Sequence, residues 1–225
     1  MTGRLATRAM VFDMDGVLVN SHPTHHAAWR EFLHSLGTEV SEHELAFILE
    51  GRTRTEILRH FLGDLPDDEL QRYGKCKDEI FRGMEHHIAP VSGVLEFIEE
   101  LNRRGMACAV ATSASEIRTC STIERIGLGG CFQAIITASD VSAGKPDPAV
   151  YRLACERMNI APRESLAFDD ARAGVQSAIF AGLRCIGVAP NGYSRQLLDA
   201  GAERVISDFS ELRLDAMLKL ELGAD

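Results

Sequence analysis

The sequence predicts a doubly wound α/β fold, a parallel sheet covered by helices on both faces, with a four-helix domain inserted after the first strand. Two observations carry this. Short apolar runs alternate with helical patterns along most of the chain, which argues for parallel strands joined by right-handed crossovers. From about Ser21 to His87 there are helical patterns and no strand-like run, which marks an insert.

The first buried strand is Ala9 to Phe12. In the insert, Trp29, Phe32, Leu33 and Leu36 lie at i, i+3, i+4 and i+7 and form one apolar stripe. Leu45, Ile48 and Leu49 begin a second, and Ile57, Leu58, Phe61 and Leu62 a third. A longer, more polar helix runs from Pro66 or Asp67 towards Met84. Short connections make these helices an antiparallel bundle. The core resumes with a helix around Val94 to Leu101. Four more strands follow at Ala107 to Ala111, Ala134 to Thr137, Ser165 to Phe168 and Arg184 to Val188. They carry few charges and end in polar or glycine-containing turns. Glu116 to Ile126, Pro148 to Met158 and Ala171 to Ala181 read as helices, and Gly105, Gly127 and Gly182 close helices. The expected division is therefore residues 1–20 and 88–225 for the core and 21–87 for the helical domain. An insert at that point sits over the C-terminal strand ends, where open α/β sheets bind ligands.

Composition bounds the function. With 225 residues, 45% of them hydrophobic, the chain builds a packed core without disulfides or structural metal. Its 33 acidic against 24 basic residues give a net charge of -9, which repels nucleic-acid backbones. A local cation inside one cleft still admits a small phosphorylated metabolite. The cysteines are scattered, with no C-x-x-C pair, and no stretch approaches a membrane span. A soluble protein of the reducing cytoplasm is expected. Oligomeric state leaves no trace in the sequence.

Chemistry concentrates at strand ends. DMDG places Asp13 and Asp15 two residues apart after the first strand, where Gly16 lets the chain turn away. Thr112 and Ser113 follow the second strand, a hydroxyl pair whose side chains and N–H groups suit a phosphate. Lys145 lies in GKPDP after the next, and Asp169 and Asp170 follow the fourth. Each alone reads equally well as a turn residue, a helix cap or a solvated cation. All four at the C-terminal ends of one parallel sheet point to a shared pocket.

These motifs resemble those of the haloacid dehalogenase superfamily, in its phosphatase and phosphomutase branch, with a Rossmann-like core. The resemblance spans nearly the whole chain, and the helical insert is similar to that family's α-helical cap. It implies Asp13 as nucleophile, Asp15 as general acid/base, Thr112 and Ser113 as phosphate ligands and Lys145 as the neutralising lysine. It further implies Mg²⁺, held by Asp13, Asp170 and the carbonyl of Asp15, with Asp169 as a second metal-side acid. Oxygen ligands suit that ion, and a cation removes the repulsion between a carboxylate and a phosphate. Asp15 argues against hydrolytic dehalogenation, because the dehalogenase branch lacks that second acid.

Two outcomes of an aspartyl-phosphate on Asp13 are open, hydrolysis and transfer to a second hydroxyl. His25 and Trp29 resemble cap positions of β-phosphoglucomutase, and Arg54 resembles its cap arginine for the distal phosphate of a sugar phosphate. A packed histidine and a solvated arginine are the plain alternatives. Where the mutase has Ser, Lys and Asn side chains, this chain has Ala114, Ser115 and Glu116, and Glu116 repels a second phosphate. Arg52 and Arg118 are nearby cations whose position the sequence leaves open. Weakening the distal site harms a mutase more than a phosphatase, so hydrolysis is the favoured expectation and the phosphomutase the alternative.

Overall fold

A computed structural model of the protein describes residues 6–49, 54–190 and 194–215. In chain order the elements are β1 (Ala9–Phe12), α1 (His22–Ser35), α2 (Glu42–Ala46), α3 (Arg54–Leu62), α4 (Asp67–Met84) and α5 (Val94–Arg103). There follow β2 (Ala107–Ala111), α6 (Glu116–Arg125), β3 (Ala134–Ile136), α7 (Ala149–Met158) and β4 (Ser165–Asp169). The chain goes on through α8 (Arg172–Ala181), β5 (Arg184–Val188), α9 (Ser194–Asp199) and β6 (Arg204–Ile206). The strands form one parallel sheet in the order β3-β2-β1-β4-β5-β6, so the predicted α/β class holds. The winding reverses between β1 and β4, and open α/β sheets bind ligands outside the carboxyl ends of the strands at such a switch point.

Strand periodicity sorts the core into two faces. Ala9 and Val11 of β1 pack with Ala109, Ala167 and the buried faces of α7 and α8. Phe12 points the other way, stacked on Phe168 at 5.1 Å and edge-on to Phe97 of α5 at 6.4 Å. Phe209 closes that aromatic group 5.2 Å from Phe168.

Three local expectations change. β3 stops at Ile136 because Thr137 turns to cap a short 3₁₀ turn, Ala138–Asp140. Leu36 is 41% exposed, since α1 ends at Ser35 and the apolar stripe ends with Leu33. β6, three residues at the sheet edge, carries too short a pattern to announce itself. Arg52 and the side chain of Leu49 lie outside the described residues.

The chain divides into two compact units, Asn20–Ala89 and the α/β remainder. The helical unit has its own core, in which Trp29, Phe32 and Leu33 of α1 meet Ile57 and Leu58 of α3 and Leu70 of α4. No helix among the described residues is long and apolar enough to cross a membrane. All six cysteines are free thiols.

Candidate active site

β1 and β4 run side by side and deliver two acids to the same end of the sheet. The Asp13 amide donates to the Phe168 carbonyl at 2.9 Å, which extends the ladder by one residue and fixes where the Asp13 side chain emerges. Asp169 is the last residue of β4. Beyond Asp13 the chain turns at once: Gly16 has φ 76°, and its amide donates to the Val19 carbonyl at 2.8 Å. That left-handed position suits glycine and lets Asp15 stay at the strand end. On the other side of β1, the Thr112 amide donates to Ile136 at 3.0 Å, and Thr112 Oγ1 accepts from the Ala114 amide at 3.1 Å. Thr112 is buried, and Ser113 beside it is exposed.

Lys145 joins the two acids. Its Nζ donates to Asp13 Oδ1 at 2.6 Å and to Asp169 Oδ2 at 2.8 Å. The loop that carries it is anchored from α8, where Ser177 Oγ donates to the Asp147 carbonyl at 2.6 Å. The Tyr151 hydroxyl, on α7, donates to the same Asp169 Oδ2 at 2.6 Å, and the Lys145 ammonium lies 5.0 Å from the Tyr151 ring centroid. Asp169 Oδ1 accepts from the Ala171 amide at 3.0 Å. Gly174 leaves the space for this carboxylate: a Cβ there would stand 1.9 Å from Asp169 Oδ1.

Burial sets the electrostatics. Desolvation opposes charge on Lys145, and the carboxylates of Asp13 and Asp169 overcome it, holding the ammonium above the ordinary lysine range. Desolvation pushes the Asp13 carboxyl well above the usual carboxylate range; Lys145 pulls it back, and Asp169, Asp170 and Asp15 push it up again. The pair stands as a charged lysine beside an acid on which burial acts most strongly. Burial likewise raises the Tyr151 phenol, with Asp169 adding to the effect, so Tyr151 stays protonated and donates.

The expected metal-side acids divide. Asp169 directs its oxygens to the Ala171 amide, the Lys145 ammonium and the Tyr151 hydroxyl. The Asp15 side chain faces Arg118, whose Nη2 donates to Asp15 Oδ1. Among the described residues no group of three or more His, Cys, Asp or Glu side chains stands ready to cage a metal. A magnesium ion needs only one or two carboxylates, and keeps waters and substrate oxygens for the rest of its shell. Asp13, Asp170 and the Asp15 carbonyl would offer oxygen donors only, and the acids Asp169, Asp170 and Asp15 that crowd Asp13 fit a cation.

The three helical-unit candidates differ in burial and in their immediate partners. Trp29 is 2% exposed, edge-on to Phe32 at 5.9 Å, and is core. Arg54 pairs with Asp78 at 2.5 Å and lies over Gly74, where a Cβ would meet its Nε at 2.5 Å. His25 stacks on Phe81 at 4.2 Å, with its Nδ1 3.2 Å from Lys77 Nζ. Lys77 is buried over the Trp29 and Phe81 rings.

The sequence reading missed Tyr151, Gly174, Ser177 and Lys77. A signal existed for two of them. Tyr151 falls within the buried stripe Val150, Tyr151, Ala154, Cys155 and Met158, where a hydroxyl must find a partner. Lys77 follows Leu70 and Gly74 and precedes Phe81 on the buried face of α4, an unusual place for an ammonium.

Comparison with known proteins adds the family. The model for haloacid dehalogenase-like hydrolases matches residues 10–188. The chain is 32% identical over 216 residues to protein CbbY of Cereibacter sphaeroides, covering 91% of this chain and 93% of that one. It is 30% identical over 203 residues to a phosphorylated carbohydrates phosphatase of Thermotoga maritima, covering 88% and 93% respectively. The crystal structure of β-phosphoglucomutase from Clostridium difficile superposes with a TM-score of 0.82 over 96% of this chain and 97% of that one, at 19% identity, a likeness of fold.

Proposed function

Because the chain belongs to the haloacid dehalogenase-like hydrolase family and is an enzyme of the phosphoric monoester hydrolase type, we propose that it hydrolyses a small sugar phosphate through an aspartyl-phosphate on Asp13. The observation that carries the reading is the Lys145 ammonium held between Asp13 and Asp169 at the switch point of the sheet. The lysine holds the Asp13 carboxylate in place at the strand end, and the further positive charge it needs for attack on a phosphate is what Mg²⁺ would supply.

In this scheme an Asp13 oxygen attacks phosphorus and the bond from phosphorus to the substrate oxygen breaks. Asp15 gives its proton to that leaving oxygen. Thr112, Ser113 and Lys145 hold the equatorial oxygens, where charge builds in the transition state. Asp15 then takes a proton from water as the water attacks phosphorus, which frees phosphate and restores Asp13. Asp169 acts one step back, fixing Lys145. Mg²⁺, held by Asp13, Asp170 and the Asp15 carbonyl, would supply the positive charge that lets a carboxylate approach a phosphate. The free thiols suit a reducing cytoplasm.

Hydrolysis is favoured over phosphoryl transfer between sugar hydroxyls, because Ala114 has no hydroxyl and exposed Glu116 is an acid where a bisphosphate intermediate would need donors. Incubation with glucose 1-phosphate, a trace of glucose 1,6-bisphosphate and Mg²⁺ tests this. Inorganic phosphate is the expected product, lost when EDTA removes the metal. Glucose 6-phosphate without net phosphate would overturn the choice, and full activity after exhaustive chelation would overturn the metal.

A further inference from the structure

One ion pair in the α/β unit has no part in that scheme. Arg118 stands on the first turn of α6, and its Nη2 donates to Asp15 Oδ1, 103 residues earlier in the chain. Sheet order explains the meeting: β1 and β2 pair in parallel, Phe12 beside Val110, so the turns that leave them start from adjacent points. The two partners are held differently. Asp15 has a fixed backbone, since the Asp13 amide is tied to Phe168 and the Gly16 amide to Val19. Its side chain is 24% exposed, and a partly covered carboxylate has several staggered directions open to it. Arg118 is anchored from behind. Thr119, the next residue, is fully buried, and its amide and hydroxyl both donate to the Ser115 carbonyl at 2.9 Å. Thr122 and Ile123 of the same helix are buried as well.

The anchored helix therefore aims the acid. A guanidinium is a rigid planar fork, and a carboxylate that accepts from it is held in direction as well as in place. Direction matters for a general acid, because misplacing a reacting group by about 1 Å costs roughly 100-fold in rate. We propose that Arg118 is a positioning residue, which turns the Asp15 carboxyl towards the leaving oxygen and then towards the attacking water. Arg118 neither gives nor takes the proton, which passes between Asp15, the leaving oxygen and water as in the scheme above. This deepens the phosphatase reading and rests on it.

Leaving groups separate this role from a purely structural one. p-Nitrophenolate departs without a proton, whereas a sugar hydroxyl needs one, and general acid catalysis is worth roughly 100- to 10,000-fold. kcat/KM is measured for p-nitrophenyl phosphate, glucose 6-phosphate and fructose 1-phosphate, each variant against the native enzyme on the same ester. Arg118→Gln should lower the sugar phosphate values by about 10-fold or more and the p-nitrophenyl value by no more than about 2-fold. Arg118→Lys, a point charge without the fork, should fall between native and Arg118→Gln. Asp15→Asn should discriminate between the esters in the same sense and more strongly. Adding Arg118→Gln to Asp15→Asn should then cost no more than about 2-fold further, since no acid is left to aim. An equal loss on both kinds of ester in Arg118→Gln, or its full loss repeated on top of Asp15→Asn, overturns this inference and leaves the phosphatase standing. An Asp15→Asn variant that treats the esters alike overturns the acid role of Asp15 and this inference with it. Release of phosphate from none of the esters by the native enzyme overturns the phosphatase itself.

Discussion

The α/β unit and the helical unit each bury a lysine, and they use it in opposite ways. Lys145 sits between two carboxylates, 2.6 and 2.8 Å away, each delivered by a neighbouring strand. Lys77 sits over two aromatic rings and against His25, with Asp78 Oδ1 3.7 Å off, all on elements of one small bundle. The first arrangement concentrates negative charge around a cation; the second sets a cation against aromatic rings with one acid at longer range. A parallel sheet aims side chains by connectivity, because every strand ends on the same side. A bundle aims them by helix rotation, and its residues find their partners within the bundle.

The largest effect should fall on Asp13. Asp13→Asn keeps the shape of the side chain and removes the nucleophile, so phosphate release should fall by roughly four orders of magnitude or more. Acid-stable labelling of the protein from a radioactive phosphate donor should vanish with it. Retained turnover in that variant would remove the reason for treating the α/β unit as the chemical one. A matching change in the bundle, His25→Ala, is expected to leave chemistry measurable.

What the sequence discloses follows the same division. The strand ends of β1, β2 and β4 were legible because short apolar runs bounded by polar turns identify a buried parallel strand, and the next residue is then at the sheet edge by geometry. Asp13, Thr112 and Asp169 could be named this way, whereas Lys145 lies in the loop beyond β3 and is named by its GKPDP setting. Which oxygen of Asp169 faces which donor could not, because Tyr151 and Gly174 approach it from α7 and α8. In the bundle the stripe through Trp29, Phe32 and Leu33 was legible as a stripe, but a stripe alone does not distinguish core from binding face. Trp29 is core.

Exchanging each buried lysine for methionine sharpens the contrast directly. Lys145→Met leaves Asp13 and Asp169 buried without their ammonium, a loss of about 3–5 kcal/mol for breaking one side of a buried ion pair. Lys77→Met puts an adaptable apolar chain among Trp29 and Phe81, and stability should change by no more than about 1 kcal/mol in either direction. Urea unfolding of both variants without added metal measures this. Equal losses would mean that Lys77 is as electrostatically committed as Lys145, and the distinction between the units would fail.

Tyr151→Phe tests how much of the α/β site depends on the layer behind it. The ring and its contact with Lys145 remain; only the hydroxyl on Asp169 Oδ2 is lost. Removing a hydrogen bond to a buried charge costs about 1.5–3 kcal/mol of stability. If the hydroxyl holds the lysine on target, kcat should also fall, by roughly 10-fold, with KM little changed. A drop in stability with kcat intact would make Tyr151 a packing residue and confine the site to the strand ends.

The smallest effect belongs to the helical unit, and pH reveals its sign. Ser41 opens α2 with a reciprocal cap: its hydroxyl and amide both donate to Glu44 Oε2, at 2.6 and 2.7 Å, and the Glu44 amide donates back to Ser41 Oγ at 3.3 Å. The Ser41 side-chain and backbone hydrogen bonds hold the Glu44 pKa below its ordinary 4.5. A carboxyl whose folded pKa is depressed contributes stability that is complete above the unfolded pKa and is lost as pH falls through the folded one. Ser41→Ala removes the cap, so the variant should unfold slightly earlier than the native chain at neutral pH. The gap should narrow as the pH drops below 4.5, where protonated Glu44 no longer rewards the native partner. Because Ser41 touches nothing in the α/β unit's lysine–carboxylate network, phosphate release at neutral pH should stay within about 2-fold. A gap that holds constant to low pH would assign the cap's worth to the neutral amide of Glu44 alone, and a fall in turnover would show that order in α2 reaches the chemistry.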